Sequence, residues 1–535
     1  MTAEADFVVV GAGSAGCVLA ARLSEDPATQ VALLEAGGDV DSALIRMPLA
    51  WMPVAADPRW GWNLMSEPDP HMGGRAQPLP RGKLLGGSSA INGTMYIRGN
   101  RADYDEWRDM GLPGWGYDDV LPWFRKSETN WRGASEIHGG DGPLSVTPML
   151  PHPELTPAMY AAGEALGYGR EPDFAVPEPE GFGVPDCTIR NGHRDSTARS
   201  YIDPIRNRRN FTLVSDASVS RVIVENSSAK GVEFHHNGEA KVLHARREVI
   251  LCGGAFHSPQ LLMLSGIGPA AHLREHGIEV LHDLPGVGQN LQDHPIAVTI
   301  WAAAKPNTFD RELRLDRLAL NVVRWALTGK GTPAQSPLTV QGFVRSGPEQ
   351  ERPDLQFQVS HTSYMARVWF PGWRKGMGHQ LTAGCVLLNP ESRGEVTLAS
   401  ADPAAPPRVL LNFLAEPGDR ERLRSSMRLM REFFATPAGA STVAGEIAPG
   451  PEAIDDAALD RWMDQTIISG GHPTSTCAMG TGPDAVLDAE LRVRGIARLR
   501  VADASSMPKL IRGNTNAPTI MIGEKCADLV HRANR

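Results

Sequence analysis

The stretch Asp6–Gly16, DFVVVGAGSAG, decides the fold of this chain of 535 residues. Its residues Phe7–Val10 form an apolar, β-branched run that is typical of a strand buried on both faces. The run leads directly into Gly11–Gly16, a G-x-G-x-x-G sequence, and a helix is predicted over about Ser14–Leu23. These glycines allow a sharp turn, close approach of the backbone to a pyrophosphate, and tight packing of the helix on the strand. We therefore expect a bound dinucleotide at the start of this helix, where amides and the helix dipole favour phosphate.

A second predicted strand, Val31–Leu34, ends at Glu35. Glu35 follows Gly16 at close to the spacing of about 20 residues at which an acid binds a ribose hydroxyl. The alternative interpretation is a tight strand–helix turn followed by an ordinary surface glutamate. A carboxylate at this position repels the 2′-phosphate of NADP, so this part of the chain leaves NAD and FAD open as cofactors.

Bulk composition excludes several classes of protein. The chain contains 53 Lys and Arg against 62 Asp and Glu, a net charge of −9, which does not favour binding to nucleic acid or to an anionic membrane surface. The first residues, MTAEADFVVV, lack the pattern of a signal peptide, and no apolar run is long enough to predict a membrane span. The six cysteines are scattered without paired or metal-binding spacing. We expect buried free thiols, no metal site and a cytoplasmic location.

The chain leaves the nucleotide-binding pattern twice and returns to it. A glycine-rich run, Arg81–Gly93, is either a second place where backbone meets a phosphate or flat ring, or a flexible loop. Leu355, Phe357 and Val359 alternate with polar residues, as in half-buried antiparallel strands. We predict a nucleotide-binding domain over residues 1–155, 201–300 and 466–535, an excursion toward a second domain over residues 156–200, and that second, substrate-binding domain over residues 301–465.

Several smaller elements are also predicted from local patterns. A small meander is expected from Phe211–Val214, Val219–Val224 and Lys241–His244, with a separate buried strand over Glu248–Cys252. The helices expected outside the first motif are two within Asp103–Lys126, and single ones at Pro259–Leu264, Arg420–Phe434 and Ala517–Val530. The last of these follows a predicted strand, Leu499–Asp503, that ends in an acid.

Four long motifs in a fixed order resemble the glucose–methanol–choline (GMC) oxidoreductase family, and the likeness extends from Asp6 to Val530. The motifs are Gly82–Asn92 (GKLLGGSSAIN), Gly254–Gly268 (GAFHSPQLLMLSGIG), His472–Gly480 (HPTSTCAMG), and Val501–Pro508 (VADASSMP) with Asn514–Thr519 (NTNAPT). The resemblance is to a bacterial member similar to choline dehydrogenases and other alcohol dehydrogenases. It implies an α/β fold: a Rossmann-like FAD-binding domain with a second, α+β substrate domain built on a mixed or antiparallel sheet.

The resemblance also implies the site residues. FAD is expected to contact Gly11, Gly13, Ser14, Gly16, Glu35, Ala36, Trp62, Gly87, Asn92, Met95, Val219, Asp503, Ala504, Asn516 and Thr519. His472 matches the catalytic histidine of the family, and Asn516 is matched to its second catalytic position, which is Asn or His in different members. Some members attach FAD covalently through a histidine that corresponds to Ile91 here, so the FAD of this chain is expected to be non-covalent.

Elementary chemistry agrees with these roles. Oxidation of an alcohol needs a base for the hydroxyl proton, a hydride acceptor, and a donor that holds the oxygen. An imidazole with an ordinary pKa of about 6.5 suits the base, and an amide donates without adding charge. We expect kcat/KM to rise with pH as His472 becomes neutral. The predicted partners are a small alcohol and an electron acceptor (quinone, artificial acceptor or oxygen). A dehydrogenase is favoured, with an oxidase that produces hydrogen peroxide, or a hydroxynitrile lyase that uses FAD only structurally, as alternatives.

Overall fold

A computed structural model describes residues 4–534 of the chain. The first of its two large sheets, called here the nucleotide sheet, contains strands from the beginning, middle and end of the sequence. Its strands, in spatial order, are Phe211–Val214, Val31–Leu34, Glu4–Val10, Glu239–Leu251, Ser228–His236 and Ala217–Glu225, and Leu499–Val501 pairs with Glu239–Leu251. The sheet is parallel across Phe211–Val214, Val31–Leu34, Glu4–Val10, Glu239–Leu251 and Leu499–Val501. The strands Ser228–His236 and Ala217–Glu225 are added to it by antiparallel pairing. This is the predicted Rossmann-like arrangement.

The predicted turn at the end of the first strand is present. The strand Glu4–Val10 is buried from its second residue, and the helix Ser14–Leu23 follows it. Gly11 has φ +98°, and a Cβ at this position would lie 2.6 Å from the carbonyl oxygen of Cys252. Only glycine fits such a conformation next to a neighbouring backbone, which is the physical reason for the first glycine of the motif.

Two predictions for the middle of the chain are wrong. Phe211–Val214 pairs in parallel with Val31–Leu34 and is not part of the meander. The predicted strands Lys241–His244 and Glu248–Cys252 are one continuous strand, Glu239–Leu251, whose first half is antiparallel to Ser228–His236. Its second half, with the burial typical of a central strand, is parallel to its neighbours. Polar and charged residues separate the two predicted ranges because one strand runs from the solvent-exposed part of the sheet into its buried centre.

The second large sheet, called here the substrate sheet, is antiparallel throughout. In spatial order its strands are Val443–Ala448, Pro295–Ala303, Gln380–Leu387, Leu355–Ser360, Leu338–Val344 and Gly181–Gly183, and Ile468–Ser469 pairs with Pro295–Ala303. One face of the sheet packs against the helix Pro417–Ala435, where Met427, Met430 and Phe434 are buried. The α/β fold with a second α+β unit is therefore confirmed, and its second sheet is antiparallel.

Thirteen α-helices lie around the two large sheets. They are Ser14–Leu23, Ala43–Arg46, Trp51–Ala55, Arg101–Asp109, Tyr117–Ser127, Leu155–Ala165, Gly254–Leu264, Ala270–Glu275, Leu315–Thr328, Pro417–Ala435, Pro437–Ala440, Asp456–Thr466 and Asn516–Ala533 among the described residues. The short strands outside the large sheets are Leu64–Met65, Pro78–Leu79, Glu128–Asn130, Leu144–Pro148, Asp186–Cys187, Ile189–Arg190, His193–Arg194, Ile267–Gly268, His282–Asp283, Glu395–Thr397 and Arg408–Leu410. No helix in residues 4–534 is sufficiently long and apolar to cross a bilayer. All six cysteines are buried and free, as predicted.

Candidate active site

Glu35 closes the turn at the end of the second strand from inside the protein. One of its carboxylate oxygens accepts a hydrogen bond from the amide of Ala12 at 2.8 Å, and the other accepts one from the amide of Gly37 at 2.9 Å. The residue is 5% exposed, and burial raises the pKa of its carboxyl to about 7. The interpretation of Glu35 as an ordinary surface glutamate is therefore wrong, because its carboxylate holds the two loops of the nucleotide turn together.

Glycines allow the second predicted loop to lie directly against this turn. A Cβ at Gly37 would be 2.1 Å from the carbonyl oxygen of Lys83, and one at Gly87 would be 2.8 Å from Gly13 Cα. The run Arg81–Gly93 is thus packed onto the G-x-G-x-x-G turn. This packing argues against the interpretation as a flexible loop, and a contact of its backbone with a phosphate or flat ring stays a prediction.

Two helix N-termini converge beside this turn. Ser14, at the start of the first helix, donates from its hydroxyl to Oδ1 of Asn516, the first residue of Asn516–Ala533, at 2.7 Å. Neither helix has a side-chain cap, so their first amides keep their hydrogen-bonding capacity. Converging helix starts attract phosphate through their amides and their dipoles. Ser14 and Asn516 therefore fit the diphosphate of the expected FAD.

Asp503 connects the end of the strand Leu499–Val501 to a third helix start. Its Oδ2 accepts from the amide of Gly254 at 2.8 Å and from the hydroxyl of Ser258 at 2.6 Å. Its Oδ1 accepts from the amide of Ser505 at 2.8 Å. The carboxylate is buried. Its hydrogen bonds to Gly254 and Ser258 connect the end of the strand Leu499–Val501 to the motif Gly254–Gly268.

Arg194 is a candidate cofactor contact that the sequence did not indicate. Its guanidinium is buried beside Asn92, donating from Nη1 to Asn92 Oδ1 at 2.8 Å and from Nε to the carbonyl of Ile45 at 3.0 Å. Its Nη2 is buried without a partner in the described structure, and burial lowers its pKa to about 9. A buried cation with a free N–H next to the glycine-rich loop fits an anionic or carbonyl-bearing group such as those of FAD.

The remaining residues predicted to contact FAD lie on the same elements. Ala36 is in the Glu35 turn, Val219 is in the strand Ala217–Glu225, and Ala504 follows Asp503. Trp62 packs on the imidazole of His257 with ring centroids 4.0 Å apart, Met95 bridges to the short strand at Cys187, and the Thr519 hydroxyl donates to the carbonyl of Thr515 at 2.7 Å. These positions stay predictions as FAD contacts.

His472 lies between the substrate sheet and the loop that precedes the last helix. It follows the strand Ile468–Ser469, and its amide donates to Asp293 Oδ1 at 2.8 Å. Burial lowers the pKa of its imidazole well below 6.5, and the neighbouring His294 and the guanidinium of Arg81 lower it further. His472 is therefore neutral at physiological pH and able to accept a proton.

His294 sets the tautomer of His472. The Nε2 of His294 lies 3.1 Å from the carbonyl of Leu388, so it donates there, and its Nδ1 is left as an acceptor. Nδ1 of His472 lies 2.9 Å from this acceptor and must carry the proton that joins them. The lone pair of His472 is consequently on Nε2. The sequence did not predict the hydrogen bond between His294 and His472. The run Gln292-Asp293-His294-Pro295, with an acid and a histidine side by side, is the pattern that could have indicated a polar site.

The amide that contacts His472 belongs to Asn514 and not to the predicted Asn516. Nδ2 of Asn514 lies 3.0 Å from Nε2 of His472, whereas the Asn516 amide is held by Ser14 on the nucleotide turn. The two asparagines are only two positions apart in NTNAPT, and the helix begins at Asn516. The first asparagine lies before the helix and reaches His472, and the second lies on it and turns toward the first helix. This geometry adds Asn514 as a second candidate beside His472, and the catalytic role of Asn516 stays a prediction.

Charged groups around His472 are already paired with protein groups. Oδ1 of Asp293 accepts from the amides of His294 and His472, both at 2.8 Å, and its Oδ2 accepts from the hydroxyl of Ser469. Arg81 donates from Nη2 to the carbonyl of Gly471 at 2.9 Å. The positive charge of Arg81 opposes protonation of His472 and favours an alkoxide over an ammonium in its neighbourhood.

The pH dependence of the reaction follows from this environment. Because the pKa of His472 lies well below 6.5, its neutral form persists from neutral pH into moderately acidic solution. We expect kcat/KM for a good substrate to be level at pH 6.5 and above and to fall only at more acidic pH. The rise of kcat/KM with pH that the sequence predicted is therefore expected at a lower pH than for a base with the ordinary pKa of histidine. Stopped-flow flavin reduction from pH 5 to 9 measures it, and an inflection above pH 7 would contradict the assignment.

Comparison with known proteins identifies relatives over the whole length of the chain. Two sequence models described as GMC oxidoreductase match residues 5–296 and residues 390–523. The chain is 41% identical to the oxygen-dependent choline dehydrogenase of Vibrio vulnificus, covering 98% of this chain and 94% of that protein. It is also 41% identical to the oxygen-dependent choline dehydrogenase of Ectopseudomonas mendocina, covering 99% and 94%.

Solved structures agree. A pyridoxine 4-oxidase from Mesorbium loti has a TM-score of 0.88 at 30% identity, covering 99% of both chains. A variant of the formate oxidase of Aspergillus oryzae has a TM-score of 0.91 at 29% identity, covering 99% and 98%. These comparisons give no support to the alternative prediction of a hydroxynitrile lyase.

Proposed function

This chain belongs to the GMC oxidoreductase family and is an FAD-dependent oxidoreductase, and on that premise we propose that it oxidises an alcohol to an aldehyde or ketone with His472 as the base. The observation that carries the proposal is the contact between Nε2 of His472 and the Asn514 amide. A half-buried, neutral imidazole with its lone pair beside an amide donor is suited to bind and deprotonate a hydroxyl group.

Four side chains have separate roles in the proposed proton transfer. A substrate hydroxyl that displaces the direct contact between these two groups would donate to Nε2 of His472 and accept from Nδ2 of Asn514. As the O–H bond breaks, Nε2 takes the proton and the imidazole becomes cationic. His294 accepts from Nδ1–H throughout, so it keeps the ring oriented and stabilises the imidazolium. Arg81 and the Asn514 amide favour the negative charge that develops on the substrate oxygen.

FAD, when bound, supplies the acceptor for the hydride that leaves the carbinol carbon, so that the alcohol loses two electrons and two hydrogens. On the contacts described above, Gly13, Ser14, Glu35, Arg194 and Asn516 are proposed to hold its diphosphate and adenosine half.

The electron acceptor is a separate question. We propose a dehydrogenase that passes electrons to a quinone or, in the assay, to an artificial acceptor. Reaction with oxygen is the second candidate, because two similar solved structures are oxidases and the similar choline dehydrogenases are named oxygen-dependent. A cytoplasmic location stays a prediction.

Anaerobic titration of the purified protein tests the function. Addition of a primary or secondary alcohol under argon is expected to bleach the flavin absorbance, and one equivalent of carbonyl product should form per flavin. Admission of air then separates an oxidase, which regains its colour within seconds, from a dehydrogenase, which requires an added acceptor. A protein whose flavin is reduced by none of a broad set of alcohols would overturn the proposal.

The two asparagines of NTNAPT are expected to behave differently when replaced. Asn514→Ala removes the donor beside Nε2 of His472 and should slow flavin reduction by about tenfold, the cost of about one hydrogen bond to a developing charge, with FAD content unchanged. Asn516→Ala should weaken FAD binding, because the Ser14 contact is lost. Stopped-flow reduction and fluorimetric FAD titration measure the two effects. Slower reduction in Asn516→Ala alone would return the catalytic position to Asn516.

The FAD is proposed to be non-covalent, because Ile91 occupies the position at which some family members carry a linking histidine. Ile91 is buried with Leu84 and Ala90 in an apolar cluster and offers no nucleophile. Acid or heat denaturation is expected to release all of the yellow colour into the supernatant. Flavin that stays with the precipitated polypeptide would show that another residue forms a covalent link.

A further inference from the structure

Three glutamines form a polar array on one face of the substrate sheet. Gln341 lies directly opposite Gln358 on the adjacent strand, and Phe343 lies opposite Gln356. Gln341 and Gln356 are therefore diagonal neighbours on the same face, at a distance of about 7–8 Å that long side chains bridge. The residues between them point to the opposite face, where Val340 and Phe357 are part of the apolar core.

This glutamine array is connected directly to the candidate catalytic groups. Nε2 of Gln356 donates to Oδ1 of Asn514 at 3.3 Å, and the same amide contacts Nε2 of His472 through its Nδ2 at 3.0 Å. The face that carries the glutamines is thus the one turned toward His472. We expect a molecule whose hydroxyl binds at His472 and Asn514 to extend next to this face.

The array contains buried hydrogen-bonding groups without partners. Nε2 and Oε1 of Gln341 and Oε1 of Gln356 are buried and accept or donate no hydrogen bond in the described structure, and both residues have 0% exposure. A buried amide without a partner costs about 1–3 kcal/mol, so natural proteins rarely leave one without a ligand or water. Gln341 offers both a donor and an acceptor, and Gln356 offers a further acceptor. Hydroxyl groups, which donate and accept, complement this set.

The same surroundings are unsuited to a cation. The strands Pro295–Ala303, Leu338–Val344, Leu355–Ser360 and Gln380–Leu387 contain no charged residue. Both oxygens of Asp293 already accept hydrogen bonds from the protein, and Arg81 adds a positive charge beside Gly471. The only aromatic side chain of these four strands on the glutamine face is Phe343, which packs against Phe174 with ring centroids 5.2 Å apart. A quaternary ammonium group is bound by several aromatic faces, usually with an acid, and this face supplies neither.

We propose that the substrate is an uncharged alcohol that carries at least two further hydroxyl groups, a polyol or sugar-like compound, bound by Gln341 and Gln356 while its reacting hydroxyl lies at His472. The inference rests on the proposed function for the identity of the reacting group. It distinguishes this chain from its relatives named choline dehydrogenases, since choline is a quaternary ammonium alcohol with a single hydroxyl.

Three primary alcohols of similar size separate the contributions of charge and hydrogen bonding. Choline carries the cation, 3,3-dimethylbutan-1-ol has the same shape without charge or a second polar group, and erythritol is uncharged with several hydroxyls. We expect anaerobic flavin reduction to be fastest with erythritol, with kcat/KM at least about 100-fold above that for choline. Calorimetric binding of the same compounds to FAD-loaded His472→Ala measures affinity without turnover, and erythritol should bind most tightly.

Variants at the glutamines make the test specific. Gln341→Leu should lower kcat/KM for erythritol by about 10-fold, the loss of one to two neutral hydrogen bonds, and leave the value for 3,3-dimethylbutan-1-ol unchanged or higher. Gln341→Glu supplies the missing acid and should raise the relative rate with choline. Gln380→Leu is the matched control, because Gln380 lies at the start of a strand of the same sheet and donates only to the Met377 carbonyl, at 3.4 Å. Melting temperatures and FAD content verify folding.

The results distinguish failure of the proposed alcohol oxidation from failure of the proposed polyol substrate. Faster reduction by choline, or by 3,3-dimethylbutan-1-ol, overturns the inference and leaves the proposed alcohol oxidation standing. If no alcohol reduces the flavin, but erythritol binds to wild-type protein and not to Gln341→Leu, the ligand class stands and the function fails. If no alcohol reduces the flavin and erythritol does not bind, both are overturned. An equal loss of erythritol oxidation in Gln341→Leu and Gln380→Leu also contradicts the role of Gln341.

Discussion

Replacement of His472 with alanine is expected to lower the rate of flavin reduction by an alcohol by about 10²- to 10⁴-fold, the usual contribution of a general base. This corresponds to about 3–5 kcal/mol in the activation free energy. Since the side chain lies beyond the strand Ile468–Ser469 and contacts His294 and Asn514 rather than the apolar core, its loss should leave the fold and the FAD content unchanged. Stopped-flow reduction under argon measures the rate, and acid-released FAD measures the cofactor content.

A second substitution separates the base from its orientation. His294→Leu keeps the imidazole of His472 but removes the acceptor of its Nδ1 proton, so the ring can rotate or change tautomer. The rate of flavin reduction is expected to fall by an intermediate factor, on the order of 10-fold to 100-fold, with a changed pH profile.

The role of His472 is refuted by a His472→Ala protein that reduces its flavin within about threefold of the wild-type rate.

Glu35→Lys is expected to weaken FAD binding by about 10²- to 10⁴-fold. The carboxylate accepts from the amides of Ala12 and Gly37, and two charge-assisted hydrogen bonds of about 1.5–3 kcal/mol each hold the nucleotide turn. A lysine also places an unpaired ammonium in a buried site, which adds to the loss.

Two controls accompany this measurement. Glu35→Gln keeps the size of the side chain and one acceptor, and we expect a loss of about 10-fold in FAD affinity. Glu136→Lys makes the same change of charge at an exposed position and should leave the dissociation constant unchanged. Fluorimetric titration of the apoprotein with FAD gives the three constants. An unchanged constant in Glu35→Lys would show that the turn is held by its backbone alone.

The structure separates two asparagines that are two positions apart in the sequence. The sequence predicted a helix over Ala517–Val530, within one residue of its observed start, but it did not indicate which asparagine of NTNAPT faces His472. In the structure the helix starts at Asn516, so Asn514 is outside the helix and its amide faces His472. A difference of two residues therefore exchanges a contact with the base for a contact with Ser14 on the nucleotide turn.

The sequence by itself determined the nucleotide-binding half of the protein and its family. The strand Glu4–Val10, the turn at Gly11 and the helix Ser14–Leu23 were readable because their causes are local: apolar runs, positive φ at glycine and short spacing. Only the tertiary structure decided which side chains surround His472. His294 is 178 positions away, and Gln356 is 158 positions from Asn514, the residue that joins it to His472. Such contacts depend on how two sheets pack, and on the strand register that puts Gln341 and Gln356 on one face, and no pattern within a short stretch encodes that packing.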